Sequence, residues 1–398
     1  MNFRPLTEKE SRNLACVNEA GFLSALLFIT ATGLDKSILD AVDPVRRLLL
    51  LEGIHDYSTQ TQGENGKRVL PCSIHSNQGV FETSASLYRP RTKRGDPRIW
   101  FRQFRPHASA EDVCAIFVHE LNIHVLNLTR SDLAVQMDGG EETEQTSFFT
   151  NRRNHADSSA KELLASLRSL AAKGPIRAVC SGPTAVGRSI ETALGIRINS
   201  SRSPDFKGIE IKAGRSDLLA NKTRATLFAC VPDWNLSICK SSKEILDRFG
   251  YQRDNGFKLY CTISALRPNS QGLVFKIDEV NRWLLESKMP GGPFGIAVWR
   301  LSSLEESLKN KHQETFWVHA SASLFDGHEH FTLNSIVHTR NPNVPQLERL
   351  LVDGGVTMDH LIKRTPSGNA KEKGPLFKVA RPRIQELFLG SPRKYSLS

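Results

Sequence analysis

The sequence predicts two folded domains of mixed α/β (α+β) class, and three observations carry that expectation. At 398 residues the chain is long enough for two hydrophobic cores. Hydrophobic residues make up 39% of it and aromatics are scattered throughout, as in ordinary globular domains. Helix-like and strand-like segments are interleaved, which points to a mixed central sheet with helices around it.

The elements follow in order. Residues 1–55 read as helical: TEKESRNLACVNEAGFLSALLFI, then SILDAVDPVRRLLLLEGI, with a break at Asp43-Pro44. Within them GFLSALLFITATGL, residues 21–34, is too short and too polar for a membrane span and reads as a core helix. From 68 to 130 the texture changes to short β-like runs, KRVLPCSI, DVCAIFVHE and LNIHVLNLT. Residues 1–131 are therefore expected as a separate N-terminal α+β domain. Residues 132–157 are polar, acidic in the middle and without sustained periodicity, and read as a linker.

A second domain, 158–398, opens with the helix AKELLASLRSLAAKG, apolar at 163, 164, 167 and 170. The short run IRAVC, a Gly-bounded loop, a helix around RSIETALGI and the strand of PDFKGIEIK come next. GFKLYCTISAL, GLVFKI, FGIAVWRL and TFWVHASASLF are further strands, with SSLEESLKNKH as a helix between the last two. FTLNSIVHTR and GPLFKV are later strand candidates, and no internal repeat is visible.

A net charge of +11 and a pI near 9.4 favour a polyanionic partner, nucleic acid before an acidic membrane surface. Seven widely spaced cysteines, with no C-x-x-C pair, argue for reduced thiols rather than a disulfide framework or zinc ribbon. No signal peptide is apparent at the start, so a prokaryotic cytosol is the expected location.

The stretch PDFKGIEIK, residues 204–212, carries the chemistry. Ile209 and Ile211 alternate with Glu210 and Lys212, the period of a strand with one apolar face. An acid and a base thus share the other face, and Asp205 lies just upstream of Gly208. Phosphodiester hydrolysis needs hard oxygen ligands for Mg²⁺, a group that positions water, and positive charge near the reacting phosphate. Asp205 and Glu210 would hold the metal, and Lys212 would stand beside the attacking water. Three charges brought together in this way cost solvation unless they pair or bind metal.

SPDFKGIEIK is the literal form of the PD-(D/E)-x-K nuclease signature. The longer segment GPTAVGRSIETALGIRINSSRSPDFKGIEIK resembles the MutH and MvaI/BcnI-like branch of that superfamily, which comprises mismatch-repair nicking enzymes and type II restriction endonucleases. There a Gly-rich loop opens a helix reading roughly T-L-E-x-L-L-G-I, followed by Asn or Ser and P-D-x-x-G-I-E-L-K. Ser189-Ile190-Glu191 and Leu194-Gly195-Ile196 hold the helix positions here. PNSQGLVFKI, AVWRLSSLEESLKNKHQETFWVHA, FTLNSIVHTRNP, LLVDGGVTMD and KGPLFKV extend the likeness over about 160–390. Departures are Ala185 for Gly, Arg188 for an aromatic and Ile211 for Leu. The resemblance implies a restriction-endonuclease-like core with a mixed central sheet flanked by helices. It also implies that Glu191 is the helix carboxylate joining Asp205 and Glu210 at the metal, with Lys212 as the catalytic lysine.

Other motifs compete with this reading. GPTAVGRS nearly matches the phosphate-binding loop G-x-x-x-x-G-K-[ST], but Arg188 stands where the lysine must be, and no strand ending in a magnesium-binding Asp follows. That loop is better placed to set the helix of Glu191, with Arg188 as a candidate phosphate contact. His328 and His330 have chelating spacing without a third ligand nearby, and His119 and His124 read as opposite faces of one strand. Arg340, in His338-Thr339-Arg340, is a candidate DNA contact. In YRPRTKRGDPRIWFRQFRPH, residues 88–107, seven Arg or Lys face one acid, with Trp100, Phe101 and Phe104 interleaved. Arg91, Lys93, Arg94, Arg98, Trp100 and Arg102 are the candidates there for contact with phosphates and bases. Similar R-G-D-P-R-I-W segments precede other MvaI/BcnI-like domains.

The expected function is a Mg²⁺-dependent, type II-like restriction endonuclease that hydrolyses double-stranded DNA at a specific sequence, with Mn²⁺ able to substitute. It would act as a monomer or homodimer, beside a cognate DNA methyltransferase encoded nearby. The alternatives are a nicking or modification-dependent defence nuclease, and a DNA-binding protein that has lost catalysis.

Overall fold

A computed structural model describes residues 4–196, 204–215, 224–254, 256–372, 374–388 and 392–397. The chain divides into two compact units, residues 1–161 and 162–398, each with its own core.

In the first unit α1 (Glu8–Glu19) starts from a capping box in which Thr7 and Glu10 satisfy each other's backbone amides. It is followed by β1 (Ser24–Phe28), α2 (Ala31–Lys36), β2 (Leu39–Asp40) and α3 (Asp43–Leu51). Then come β3 (Arg68–Ser76), β4 (Gly79–Tyr88), β5 (Arg98–Phe101), β6 (Val113–His119) and β7 (Asn122–Asn127). These strands make one seven-stranded sheet in the order β1-β6-β7-β3-β4-β5-β2. Val17, Phe22, Phe117, Leu126, Leu133 and Phe149 lie in its core.

Four sequence expectations are corrected here. Residues 24–28 form a strand, not part of a core helix: Gly21 takes φ +91°, and SALLF then pairs antiparallel with β6. The alternation that buries Ala25 and Leu27 was hidden in a run too apolar to show a period. Asp43-Pro44 begins a helix instead of breaking one, since Pro at the first turn lacks only an amide that would go unpaired anyway. Most of 132–157 is helical, in α4 (Leu133–Gly139) and α5 (Glu144–Ala172). Leu133, Ala134, Phe149, Leu163 and Leu167 are buried along these helices, too sparse a set to give a readable period. Thr143 accepts a bond from the Thr146 amide at 3.1 Å near the start of α5. His119 and His124 also sit on different strands, not one, with ring centroids 6.2 Å apart.

The second unit contains α6 (Ala185–Ala193), α7 (Ser242–Phe249), α8 (Leu301–His312) and α9 (Val344–Val352). Its central sheet comprises β8 (Ile176–Arg177), β9 (Glu210–Arg215), β16 (Glu314–Phe325), β17 (His328–Arg340) and β21 (Arg393–Ser396). The order is β21-β17-β16-β9, with β8 pairing β17. Only β9 and β16 run parallel among its pairs, so this sheet is mixed. A six-stranded sheet packs nearby, from β10 (Arg224–Ala229), β11 (Tyr251–Arg253), β12 (Gly256–Ile263), β18 (Val356–Arg364), β19 (Ala370–Glu372) and β20 (Leu376–Ala380). A third small sheet joins β13 (Leu273–Asp278), β14 (Trp283–Lys288) and β15 (Ala297–Arg300). Trp299 meets Phe275 and Phe377 edge-on at 6.0 and 5.7 Å and ties the last two sheets into one core. All seven cysteines are free thiols, and no helix among the described residues is long and apolar enough to cross a membrane.

Candidate active site

The site is built on β9 and the elements that flank it. Ahead of the strand, Phe206 and Ile209 exchange backbone bonds of 2.9 and 2.7 Å across Lys207-Gly208. Both turn residues take positive φ, +45° and +87°, the geometry of a two-residue hairpin turn that favours glycine at its second position. The turn folds Asp205 back on the strand, where its Oδ2 accepts the Ile211 amide at 2.9 Å. Residues 197–203, which include the Asn/Ser position of the motif, lie outside the described residues.

Ile209 and Ile211 are buried as the alternation requires, but Glu210 is buried too, at 1% exposure. A strand face expected to be open is therefore largely closed. Two ammonium groups compensate the carboxylate: Lys212 bonds Oε1, and Lys311 Nζ stands 2.9 Å from Oε2. Burial still raises the pKa of Glu210, and Asp205 raises it further against the opposing pull of Lys212.

Glu191 reaches the same place from α6. Ala185, Val186, Ser189 and Ile190 bury one face of that helix, and Ser189 Oγ accepts the Val179 amide at 3.1 Å. Packing of α6 on β9 leaves Glu191 half-buried and Arg188 exposed. The Glu191 pKa is raised by burial first and by the charge of Asp205 second. Glu191 and Glu210 each feel the charges of Asp205 and Lys212, so the three carboxylates lie in one neighbourhood. Among the described residues, however, no group of three His, Cys, Asp or Glu is already closed into metal-binding geometry. The donor set fits a hard divalent cation: it offers oxygen only, and ionised carboxylates that repel one another are relieved by a bound cation.

Lys311 was not read from the sequence. It ends α8, where a basic residue is an ordinary helix terminus, and only the tertiary fold brings it to Glu210. His312 beside it supports the floor of the site. Its Nε2 donates to the Leu227 carbonyl and its Nδ1 accepts from Thr315 Oγ1, both at 2.9 Å. Burial, reinforced by Lys212, lowers its pKa to about 3. The neutral ring stacks on Trp317, whose backbone is in register with Lys212.

The other candidates are distributed differently. Arg340 Nε and His338 Nε2 both bond Glu314 Oε1 at 2.7 Å, and the Arg340 side chain is only 13% exposed, so a structural ion pair engages it. In the first unit, Arg98 pairs with Asp40 and Trp100 is half-buried edge-on against buried Phe104. Arg91, Lys93, Arg94 and Arg102 are exposed and have no carboxylate partner among the described residues. Arg89 Nε donates to the Gly95 carbonyl at 2.7 Å and shapes the loop that presents them. His328 is 2.8 Å from an Arg177 nitrogen on an exposed hairpin, and among the described residues no group of three metal ligands forms around it.

Residues 164–388 match the family described as the MvaI/BcnI restriction endonuclease family. Among solved structures, the complex of restriction endonuclease MvaI with its cognate DNA substrate is similar at a TM-score of 0.52 and 19% identity. The match covers 60% of this chain and 98% of that one. The same endonuclease in the absence of DNA aligns over the same shares at 17% identity and a TM-score of 0.36. A comparison with curated proteins finds no match.

Proposed function

Since the chain belongs to the MvaI/BcnI restriction endonuclease family and is therefore a DNA endonuclease, we propose that it cuts duplex DNA in a Mg²⁺-dependent, type II-like reaction centred on Asp205, Glu210 and Lys212. The observation that carries this reading is Glu210: a carboxylate at 1% exposure, facing Asp205 and met by two lysines. A core has no use for such a cluster, whereas charge development at phosphorus does.

Asp205, Glu210 and Glu191 are the residues that would hold the cation, which when bound neutralises charge at the scissile phosphate. Lys212, tethered to Glu210, is placed to orient the attacking water and donate to the phosphate oxygens. Asp205 keeps its position through the Ile211 amide, leaving Oδ1 for ligation. His312 and Trp317 exclude water from behind Lys212 and fix the strand register. Arg188, exposed near Glu191, and the exposed Arg91, Lys93, Arg94 and Arg102 of the first unit are proposed contacts to the DNA backbone. We also propose a cytosolic setting with a protecting DNA methyltransferase.

Supercoiled plasmid incubated with the protein in EDTA, Mg²⁺ or Mn²⁺ tests the reading. Linear product is expected with either ion and none in EDTA, and Lys212→Ala is expected to lower the rate by at least about 10³-fold while DNA binding persists. Open circles alone would establish a nicking enzyme. Unchanged plasmid across methylated and unmethylated substrates would sink the catalytic reading in favour of DNA binding.

A further inference from the structure

A cleft of about 600 Å³ opens beside β9, with Lys212 at one side, and among the described residues no Asp or Glu lines it. Most of its cations are already engaged. Arg215 is bound to Glu329 at 2.7 Å, and Arg224 and Lys378 each reach Asp359 at 2.8 Å. Arg381, which follows β20, differs. Among the described residues no carboxylate pairs with it, and its buried Nε has no hydrogen-bond partner. Its guanidinium meets β9 at Gly214, two residues beyond Lys212, with the Nη2 edge foremost. A Cβ at position 214 would stand 2.3 Å from Arg381 Nη2, so only glycine admits this approach. Burial lowers the Arg381 pKa, and the charge of Arg381 in turn adds to the burial that lowers the pKa of His319.

A half-buried guanidinium with no counter-charge among the described residues, in a cleft that none of their acids lines, is suited to an anion. Resting on the reading of Lys212 as the cutting centre, we propose that Arg381, seated on Gly214, clamps one DNA backbone phosphate adjacent to the scissile one. The planar fork matches two phosphate oxygens, and the bare strand at Gly214 sets its distance from Lys212. The clamp positions the strand and carries no sequence information.

The test uses the full chain, a cognate duplex and Ca²⁺ in place of Mg²⁺ to prevent cutting. Single methylphosphonate substitutions, which remove one phosphate charge at a time, are scanned around the cleavage position. The wild type is expected to lose about tenfold in affinity at one phosphate beside the cut, and Arg381→Ala to be indifferent at that same phosphate while its salt slope falls by about one. Arg381→Lys should recover part of the affinity. Gly214→Ala, which retains the charge but blocks its seat, should behave like Arg381→Ala, and thermal melts confirm that each variant is folded. If Arg381→Ala keeps the full phosphate profile and salt slope of the wild type, the clamp is overturned while the nuclease reading stands. If instead Lys212→Ala still cuts plasmid, the cutting centre is misplaced and the clamp falls with it.

Discussion

Glu210 shows how one side chain can be costly for the fold and, on the proposed reading, useful for the reaction. Burial disfavours its charge, and the two lysines offset that cost at close range. Lys311→Met removes one of them. Because Lys212 still faces the other oxygen, the loss of stability in EDTA should be on the order of 1–3 kcal/mol. A divalent ion then meets one competitor fewer at Oε2. The Mg²⁺-induced rise in melting temperature should therefore be larger in Lys311→Met than in the wild type, read by differential scanning fluorimetry. Equal rises in the two proteins would show that Lys311 does not compete for the site. The motif residues were legible in the sequence, and Lys311 was not, because a lysine closing a helix has an ordinary local explanation.

At the scale of the element, the turn before β9 is the device that joins the first acid of the motif to the rest. Gly208 at φ +87° has nothing within 4 Å of a would-be Cβ, so Gly208→Ala introduces backbone strain without a clash. The cost should be about 1 kcal/mol. Cleavage should fall at least tenfold, since Asp205 is held against the Ile211 amide by this turn. Gly327→Ala, in the hairpin between β16 and β17, imposes comparable strain at φ +71°. It should lower the melting temperature by a similar amount and leave the cleavage rate unchanged. The strand itself was readable from its alternation. Strand β1 was not, because SALLF gains its identity from a partner strand far along the chain, Ser24 pairing with Phe117.

For the whole molecule, charge and buried histidines set the dependence on salt and pH. With a net charge of +11, DNA affinity should fall steeply with salt. Replacing Arg91, Lys93, Arg94 and Arg102 with glutamine should flatten the log–log slope by up to roughly 3–4, measured by fluorescence anisotropy. An unchanged slope would remove this loop from the interface. In the first unit, His75 and His124 share a 2.9 Å hydrogen bond among Phe117, Phe148 and Phe149. Burial lowers their pKa values to about 3 and about 4, from 6.5 in the unfolded chain. Both rings are neutral in the fold, so their contribution is intact above pH 6.5 and is lost as pH falls toward 4 and then 3. At pH 5 this amounts to on the order of 2 kcal/mol for each ring. Melts of the full chain at pH 7.5 and pH 5 should show a larger acid loss in the wild type than in a His75→Phe/His124→Leu variant.

By itself the sequence determined the class of the fold, the strand of PDFKGIEIK, the neighbouring acids and lysine on which the proposed chemistry rests, and the basic charge that favours a polyanion. Each depends on residues close together in the chain or on summed charge, which local periodicity and composition record. The tertiary structure decided the rest: that Glu210 is buried, that Lys311 meets it from α8, that His312 is tied to the Leu227 carbonyl, and that Arg340 is taken by Glu314. It also decided that Arg381 comes to rest on Gly214. Those contacts join residues tens to more than a hundred and fifty positions apart. Only packing of the sheets and helices fixes such distances, and no local pattern encodes them.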